Sequence, residues 1–384
     1  MPDQAAAIAL EAENKALFAA RVPDTPDNFS RCVQPTVEAC AAAGEGSRVR
    51  WKRRVAFYCP TGNYLAHVRN LDTLLRGLKK IDAPIDPVVI THSEPDKRFA
   101  DMDAPIYFIP EPPAVAWQST QRLGIKLNLD AFVHVSAVQG MAYAASIRCA
   151  RKHIWWSHKW HGLTVPGIDG YIDATGGRQG KPWSHHYTAL PDMFDGSKTA
   201  EAEGLRALYG GKTIYGTLCR EEKITEEYVD TVAEILAKSG PSVFLYTGRA
   251  RVPELDRVPD TAWIGWVDTS LWAQVIDVFL DTWPFGSGHT AWEAIAARKH
   301  FVSMESDDHA EQCFVHGMMK KHAARHVAAV SPADYVELAL SMASGKIDAR
   351  DDYYRFYQDH MRNEERMARE FTAILLGITD AREF

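Results

Sequence analysis

The sequence has few cysteines and no long apolar run. No stretch approaches the ~18 consecutive apolar residues of a membrane span. The first 21 residues contain Glu11, Glu13, Lys15 and Arg21, so they lack the uninterrupted apolar core of a signal peptide. The cysteines show no C-x-x-C pair, a spacing typical of reduced thiols in a cytoplasmic protein. The six positions are Cys32, Cys40, Cys59, Cys149, Cys219 and Cys313. We therefore expect a cytoplasmic protein without a membrane span.

An excess of positive charge is also lacking. The chain has 43 Lys and Arg against 50 Asp and Glu, which gives a formal net charge of −7. The basic clusters at 48–54 and 320–325 are short enough to be solvated faces, so the composition argues against a nucleic-acid partner. With 384 residues the chain is long enough for two domains, because single cores stop growing near ~250 to 300 residues.

Apolar strand-like runs alternate with helical stretches, the pattern of parallel sheets covered by helices. The predicted strands are 55–59, 88–91, 106–109, 131–135, 153–156, 171–173, 213–217, 243–246, 278–280 and 301–304. A Gly, Asp and Ser-rich segment at 191–211 marks the predicted domain boundary. We expect a helical extension over 1–50, two parallel α/β domains over 51–205 and 206–345, and terminal helices over 346–384.

The most informative stretch is VFLDTWPFGSGHTAWEAIAARKHFVSM, at 278–304. It predicts a strand, a glycine-bearing turn, a helix and a second strand. Gly288, His289 and Thr290 lie at the expected helix start, where unpaired N–H groups and the helix dipole favour a phosphate. The stretch therefore indicates a nucleotide site without saying which nucleotide.

Two other interpretations remain open for this stretch. Thr290 and Glu293 fit an S/T-x-x-E capping box, which would close the helix end and is compatible with ligand binding. Gly286, Gly288 and Ala291 fit G-x-G-x-x-A, which would indicate an NAD-dependent oxidoreductase. Against NAD, five residues separate the strand end from the first glycine, whereas the dinucleotide fingerprint has its glycine at the strand tip.

Cations follow two other predicted strands. Lys223 stands in a polar loop after strand 213–217, and Arg249 follows strand 243–246. Carboxyl ends of parallel strands meet at one edge of a sheet, so both cations could meet anionic oxygens there. Trp266, in IGWVDTS, could stack on a flat base or belong to the core.

The stretches that contain Lys223 and the turn at 288–290 resemble family 41 glycosyltransferases. This family includes the O-GlcNAc transferase-like enzymes and the bacterial cytoplasmic adhesin N-glycosyltransferase-like enzymes. The order of strand, lysine loop, helix, strand, IGWVDTS and strand-LDTWPFGSGHTAWEA is similar to the donor-binding half of that family. HIWWSHKWHGLTVPGIDGYIDA at 153–174 and PTGNYLAHVRN at 60–70 resemble its N-terminal half. The resemblance covers roughly residues 51–325.

The resemblance implies a GT-B architecture, with two Rossmann-like domains and a nucleotide sugar in the cleft between them. It makes Lys223 a diphosphate partner, the turn at 288–290 a phosphate cradle and Glu293 the holder of ribose hydroxyls. His67 and His158 would face the cleft from the first domain. The chain departs from the family in two ways: no tetratricopeptide repeats precede the domain, and Glu293 stands where the family has an aspartate.

The chemistry can also be argued from the residues. Sugar transfer develops negative charge on a departing diphosphate, which Lys223, the helix start and Arg249 could meet, and it needs a base for the acceptor. His67 and His158 are the candidate bases, each with a structural role as the alternative.

We expect no metal and no cofactor. Asp101 and Asp103 form a D-x-D triplet that precedes a strand instead of ending one, and no zinc-ligand spacing is present. Together with the resemblance, the sequence predicts a metal-independent transferase that moves a hexose or N-acetylhexosamine from a UDP-sugar to an acceptor such as a protein side chain. The resemblance implies that the transfer inverts the anomeric centre. The alternatives are a GT-B nucleotide-sugar epimerase and a non-catalytic nucleotide-sugar-binding protein.

Overall fold

The computed structural model describes residues 54–111, 113–135, 148–158, 164–174, 182–305 and 314–380. The predicted helical extension over 1–50 lies outside these residues. The chain divides into two compact units. Unit 1 comprises Met1–Pro191 and Asn363–Phe384, and unit 2 comprises Asp192–Arg362.

Strands and helices alternate along most of the described chain. The strands are β1 (Arg54–Tyr58), β2 (Asp86–Thr91), β3 (Ile106–Phe108), β4 (Ala131–Val135), β5 (Lys152–Ser157), β6 (Gly170–Asp173), β7 (Trp183–His185), β8 (Thr213–Thr217), β9 (Ser242–Tyr246), β10 (Thr261–Trp263), β11 (Val278–Leu280) and β12 (His300–Val302). The helices are α1 (Ala66–Lys80), α2 (Lys97–Ala100), α3 (Pro113–Leu127), α4 (Thr199–Ala207), α5 (Glu226–Lys238), α6 (Thr269–Val275), α7 (His289–Ala296), α8 (Phe314–Lys321), α9 (Pro332–Ala343), α10 (Arg350–His360) and α11 (Glu364–Asp380).

The described part of unit 1 is built on a parallel sheet of seven strands, in the order β3-β2-β1-β4-β5-β6-β7. All residues of β4, β5 and β6 are buried, because strands covered on both faces have no solvent side. α1 covers one face with Leu71, Leu74 and Leu78, and α11 adds Phe371 to the same core. Gly77 of α1 permits close packing, since a Cβ there would lie 2.3 Å from the Glu364 carbonyl oxygen.

The described part of unit 2 is built on a parallel sheet of five strands, in the order β10-β9-β8-β11-β12. The predicted helix after β8 is present as α5, which buries Tyr228, Val229, Val232 and Ile235. The Thr225 side chain accepts a hydrogen bond from the backbone N–H of Tyr228 and so caps its start. Both units are therefore parallel α/β structures, and the predicted fold class is confirmed.

The division of the chain differs in detail from the predicted boundaries at 205/206 and 345/346. Unit 2 begins at Asp192, inside the segment 191–211 that the sequence marked. The predicted terminal helices separate: α10 stacks Phe356 on Trp292 of α7 in unit 2, with ring centroids 6.1 Å apart, whereas α11 packs on α1 in unit 1. The physical reason is that each helix buries its apolar face on a different sheet.

None of the helices in the described part of the chain combines the length and apolar character that crossing a bilayer would need. The cysteines within the described residues, Cys59, Cys149 and Cys219, are buried and form no disulfide.

Candidate functional site

The loops that follow β8, β9 and β11 meet at the carboxyl edge of the unit 2 sheet. β8 pairs in parallel with both β9 and β11, so the three loops are neighbours. This edge is where open parallel sheets bind ligands. It carries Lys223, Arg249 and the turn at 281–288.

The turn after β11 is held closed by its own side chains. Asp281 Oδ1 accepts a hydrogen bond from the backbone N–H of Ser287 at 2.5 Å. The Thr282 hydroxyl donates to the Phe285 carbonyl oxygen at 2.6 Å. Trp283, which precedes a cis peptide bond to Pro284, is buried against Tyr335 with ring centroids 4.6 Å apart. The sequence D-T-W-P-F-G-S thus forms a closed turn that leads the backbone into α7.

α7 begins at His289, with Gly288 as its N-cap and no side chain capping it. Thr290 is the second helical residue, so the capping-box interpretation of Thr290 and Glu293 is wrong. A Cβ built on Gly288 would meet nothing within 4 Å, so the helix start opens onto free space. First-turn N–H groups at such an open end are suited to anionic oxygens.

The dinucleotide interpretation does not match this turn either. Gly286 comes six residues after Leu280, the last residue of β11, instead of at the strand tip. A dinucleotide fold would also use a carboxylate near the end of the next strand to bind ribose, and Glu305 is the residue there; its Oε1 lies 3.4 Å from the Lys320 ammonium.

Lys223 reaches the turn from the neighbouring loop. It is the last residue of a 3₁₀ helix at Glu221–Lys223, and its Nζ donates to the Gly286 carbonyl oxygen at 2.6 Å. Its side chain is partly buried rather than exposed. Nearby Cys219 is buried, which raises the pKa of its thiol to about 11, although the Lys223 ammonium opposes that shift. The structure therefore brings the predicted lysine and the predicted cradle together.

Arg249 and Trp266 form a second pair at this edge. The Arg249 guanidinium lies 5.2 Å from the centroid of the Trp266 ring, and its backbone N–H donates to Glu221 Oε2 at 3.0 Å. Trp266 is 57% exposed and does not belong to the core. An exposed indole beside a guanidinium can accept a flat ring by stacking.

Glu293 stands in the second turn of α7 and is only 1% exposed. It lies four residues after His289 and so shares a helix face with it. Its carboxylate is therefore buried on the face of α7 that includes His289 at the helix start.

His67 and His158 lie in unit 1. His67 is the second residue of α1 and not part of a loop, since the helix begins at Ala66, and its side chain is partly buried. His158 directly follows β5, and its ring centroid is 4.2 Å from that of Trp156. Both follow the carboxyl ends of strands in their own sheet.

The sequence analysis missed a further pair in unit 1. Asp173 and His185 are the last residues of β6 and β7 and face each other across the two strands. Asp173 is fully buried, and its Oδ2 lies 3.3 Å from His185 Nδ1. A buried carboxylate that orients one ring nitrogen is a common arrangement for a proton-accepting histidine. The only sequence signal was the aspartate that ends strand 171–173.

Comparison with solved structures identifies the fold. A mutant of the O-GlcNAc transferase from Thermobaculum terrenum matches with a TM-score of 0.70 and 13% identity, over 97% of this chain and 78% of that one. HepE from Anabaena, in complex with UDP and glucose, matches with a TM-score of 0.61 and 11% identity, over 85% and 100%.

A third similar structure is a Listeria monocytogenes protein assigned as a UDP-N-acetylglucosamine 2-epimerase. Its TM-score is 0.52 at 10% identity, over 87% of this chain and 98% of that one. No protein-family model and no curated protein sequence matches the chain. With two parallel α/β units, the chain has the GT-B fold of the glycosyltransferases among these structures.

Proposed function

We propose that the chain is a glycosyltransferase of the family 41 type, which moves a hexose or N-acetylhexosamine from a UDP-sugar to an acceptor such as a protein side chain. The observation that carries the proposal is the Lys223 ammonium at 2.6 Å from the carbonyl oxygen of Gly286, which lies two residues before Gly288, the N-cap of α7. A cation held beside the N-terminal end of a helix is suited to a diphosphate.

The reaction breaks the bond between the anomeric carbon and the diphosphate oxygen and forms a bond from that carbon to the acceptor. Negative charge grows on the diphosphate as it leaves, so a cation placed there stabilises the transition state more than the ground state. Lys223 and the first turn of α7 would supply this charge without a metal. Direct displacement by the acceptor inverts the anomeric centre.

The other residues of this edge would hold the rest of the nucleotide. In this proposal Trp266 and Arg249 contact the uracil or ribose, and Glu293 accepts hydrogen bonds from ribose hydroxyls. His67 or His158 takes the acceptor proton, with His185, held by Asp173, as a third candidate base. The buried, unpaired cysteines of the described residues support a reducing compartment such as the cytoplasm.

A nucleotide-sugar epimerase is the second candidate, because the Listeria protein shares the fold over 87% of this chain. Incubation with a panel of UDP-sugars in excess EDTA, followed by mass spectrometry and sugar analysis, separates the candidates. We expect UDP release with a glycosylated acceptor. An isomerised sugar would establish the epimerase instead, and binding without turnover would establish a non-catalytic binding protein.

A further inference from the structure

Unit 2 contains a cavity of about 370 Å³ at the opposite edge of its sheet from Lys223. It is lined by the first residues of β8, β11 and β12 and by the turn that follows α7. Its volume lies in the range of small-ligand pockets, about 300 to 1,000 Å³. α7 therefore begins at the candidate nucleotide site and ends at this second cavity.

The wall of the cavity is strongly basic in a protein of net negative charge. Arg206, Arg298, Lys299 and Arg350 line it, and Asp277 is the only acidic residue among the lining residues that the structure describes. These five side chains carry a net charge of three positive units, from four cations and one carboxylate.

The three arginines already have carboxylate partners. Arg206 Nη2 lies 2.9 Å from Asp277 Oδ2, and Arg350 Nη2 lies 2.6 Å from Asp348 Oδ2. Arg298 Nη1 lies 2.6 Å from an Asp351 oxygen. These pairs hold the arginines in place, and with Asp348 and Asp351 counted the local net charge falls to one positive unit, that of Lys299.

Lys299 and His300 have no such partners. Within the described chain, no carboxylate lies within ion-pair distance of the Lys299 ammonium and no group accepts a hydrogen bond from it. The Nδ1 atom of His300 is buried, and it also has no hydrogen-bond partner within the described chain. Burial lowers the pKa of Lys299, and the charges of Arg206 and Arg350 lower it further against the attraction of Asp277. An ammonium that is partly buried among cations is unfavourable unless an anion joins it.

Helix capping explains only part of this cluster. A cation after the C-terminus of α7 is favourable because the helix dipole is negative there, which accounts for Arg298 or Lys299. The helix dipole does not explain why Arg206 of α4 and Arg350 near the start of α10 line the same cavity. Their convergence on an unpaired lysine is the arrangement of an anion site.

We propose that this cavity binds a small phosphate-bearing anion at a second site, separate from the UDP-sugar site. Lys299 and His300 contact the anion, and Arg206 and Arg350 supply the surrounding positive charge. Inorganic pyrophosphate is a suitable probe, since it presents the charge and oxygens of a phosphorylated metabolite.

Calorimetric titration of the full chain with pyrophosphate at low ionic strength tests the proposal. Because pyrophosphate could also enter the Lys223 site, the parent protein for the test carries Lys223→Ala. We expect this parent to bind pyrophosphate, and we expect adding Lys299→Met to weaken that binding at least about tenfold. Lys299→Arg should retain it within a few-fold, while Lys238→Met, on an exposed face of α5, should leave it unchanged.

Three outcomes would overturn the proposal. In the first, the Lys223→Ala parent does not bind pyrophosphate. In the second, adding Lys299→Met leaves pyrophosphate binding intact. In the third, Lys299→Met and Lys238→Met weaken pyrophosphate binding equally. If Lys299→Met is not recovered folded, Ala343→Glu gives the same decision, because it adds a carboxylate to the cavity wall and must also weaken binding about tenfold. None of these readouts depends on UDP binding or on turnover, so the glycosyltransferase proposal could fail independently.

Discussion

The carboxyl edges of the two sheets carry different chemistry. In unit 2 this edge holds fixed cations and an open helix start, represented by Lys223, Arg249 and Gly288. In unit 1 this edge carries histidines instead: His92 follows β2, His158 follows β5 and His185 ends β7. Lysine and arginine keep their charge near neutral pH, whereas histidine exchanges protons there. The proposed function therefore places anion binding in unit 2 and proton transfer in unit 1.

The largest effect should come from removing the base in unit 1. We expect His67→Ala to lower sugar transfer by about 10² to 10⁴-fold while UDP affinity stays within a few-fold, because the proposed nucleotide site lies in unit 2. Initial rates, UDP affinity and melting temperature measured on one preparation check this. His360→Ala, an exposed histidine in α10, is the matched control.

Normal transfer by a stable His67→Ala protein would remove this residue from the mechanism. The same measurements would then be made on His158→Ala and His185→Ala. If none of the three loses transfer selectively, the assignment of proton transfer to unit 1 fails.

The second effect concerns the cation of unit 2. We expect Lys223→Ala to lower turnover on the order of 10²-fold, comparable with removing one oxyanion donor. Its hydrogen bond to Gly286 is also lost, which should cost about 1 kcal/mol of folding free energy. Turnover at saturating donor and urea unfolding measure the two quantities, with Lys238→Ala as the control. A variant that loses stability but keeps its turnover would show that Lys223 only holds the turn.

The third effect is a pH dependence of stability in unit 1. Burial lowers the pKa of His186 to about 4 from 6.5. Its Nε2 accepts a hydrogen bond from Trp156 Nε1 at 2.8 Å, so a proton on that nitrogen would face another donor. The neutral form therefore stabilises the fold above pH 6.5, and this stability is lost as pH falls toward about 4.

Linkage gives a loss on the order of 3 kcal/mol across that window. We expect His186→Gln to be less stable than the wild type at neutral pH and to show a smaller loss on acidification. Urea unfolding near pH 6.5 and near pH 4 measures this loss of stability, with His360→Gln as the control. An unchanged acid response in His186→Gln would mean that other groups cause the loss.

The smallest effect concerns the exposed indole of unit 2. We expect Trp266→Ala to weaken UDP binding at least about fivefold, because stacking on one base is worth about 1 to 3 kcal/mol. Folding stability should change by less than about 0.5 kcal/mol, since the side chain is 57% exposed. Calorimetry with UDP and thermal unfolding check both, and equal UDP affinity would leave Trp266 outside the site.

The sequence predicted ten of the strands that the structure describes, because each is an apolar run bounded by polar residues. It missed β7 and β10, whose sequences WSH and TAW have no apolar run. The dyad of Asp173 and His185 was missed for the same reason, since it exists only where β7 pairs with β6. Short strands take their pairing from the sheet and not from local preference.

The sequence predicted that the candidate nucleotide site lies at the carboxyl edge of a parallel sheet, but it did not predict the contacts within the site. Parallel topology placed the Lys223 loop and the turn before α7 side by side, but the bond to Gly286 depends on the 3₁₀ turn that ends at Lys223. The capping-box interpretation was wrong because the helix starts one residue before Thr290. The separation of α10 from α11 could not be predicted, since both are amphipathic and tertiary packing alone decides which sheet each one covers.

The central claim is that a nucleotide binds at the carboxyl edge of the unit 2 sheet without a metal. Amide hydrogen exchange of the full chain, with and without UDP in excess EDTA, tests it most directly. We predict slower exchange in the described segments 218–225, 247–249 and 286–293, with little change across the unit 1 strands. Protection confined to unit 1, or protection of unit 2 that disappears on adding EDTA, would contradict the account.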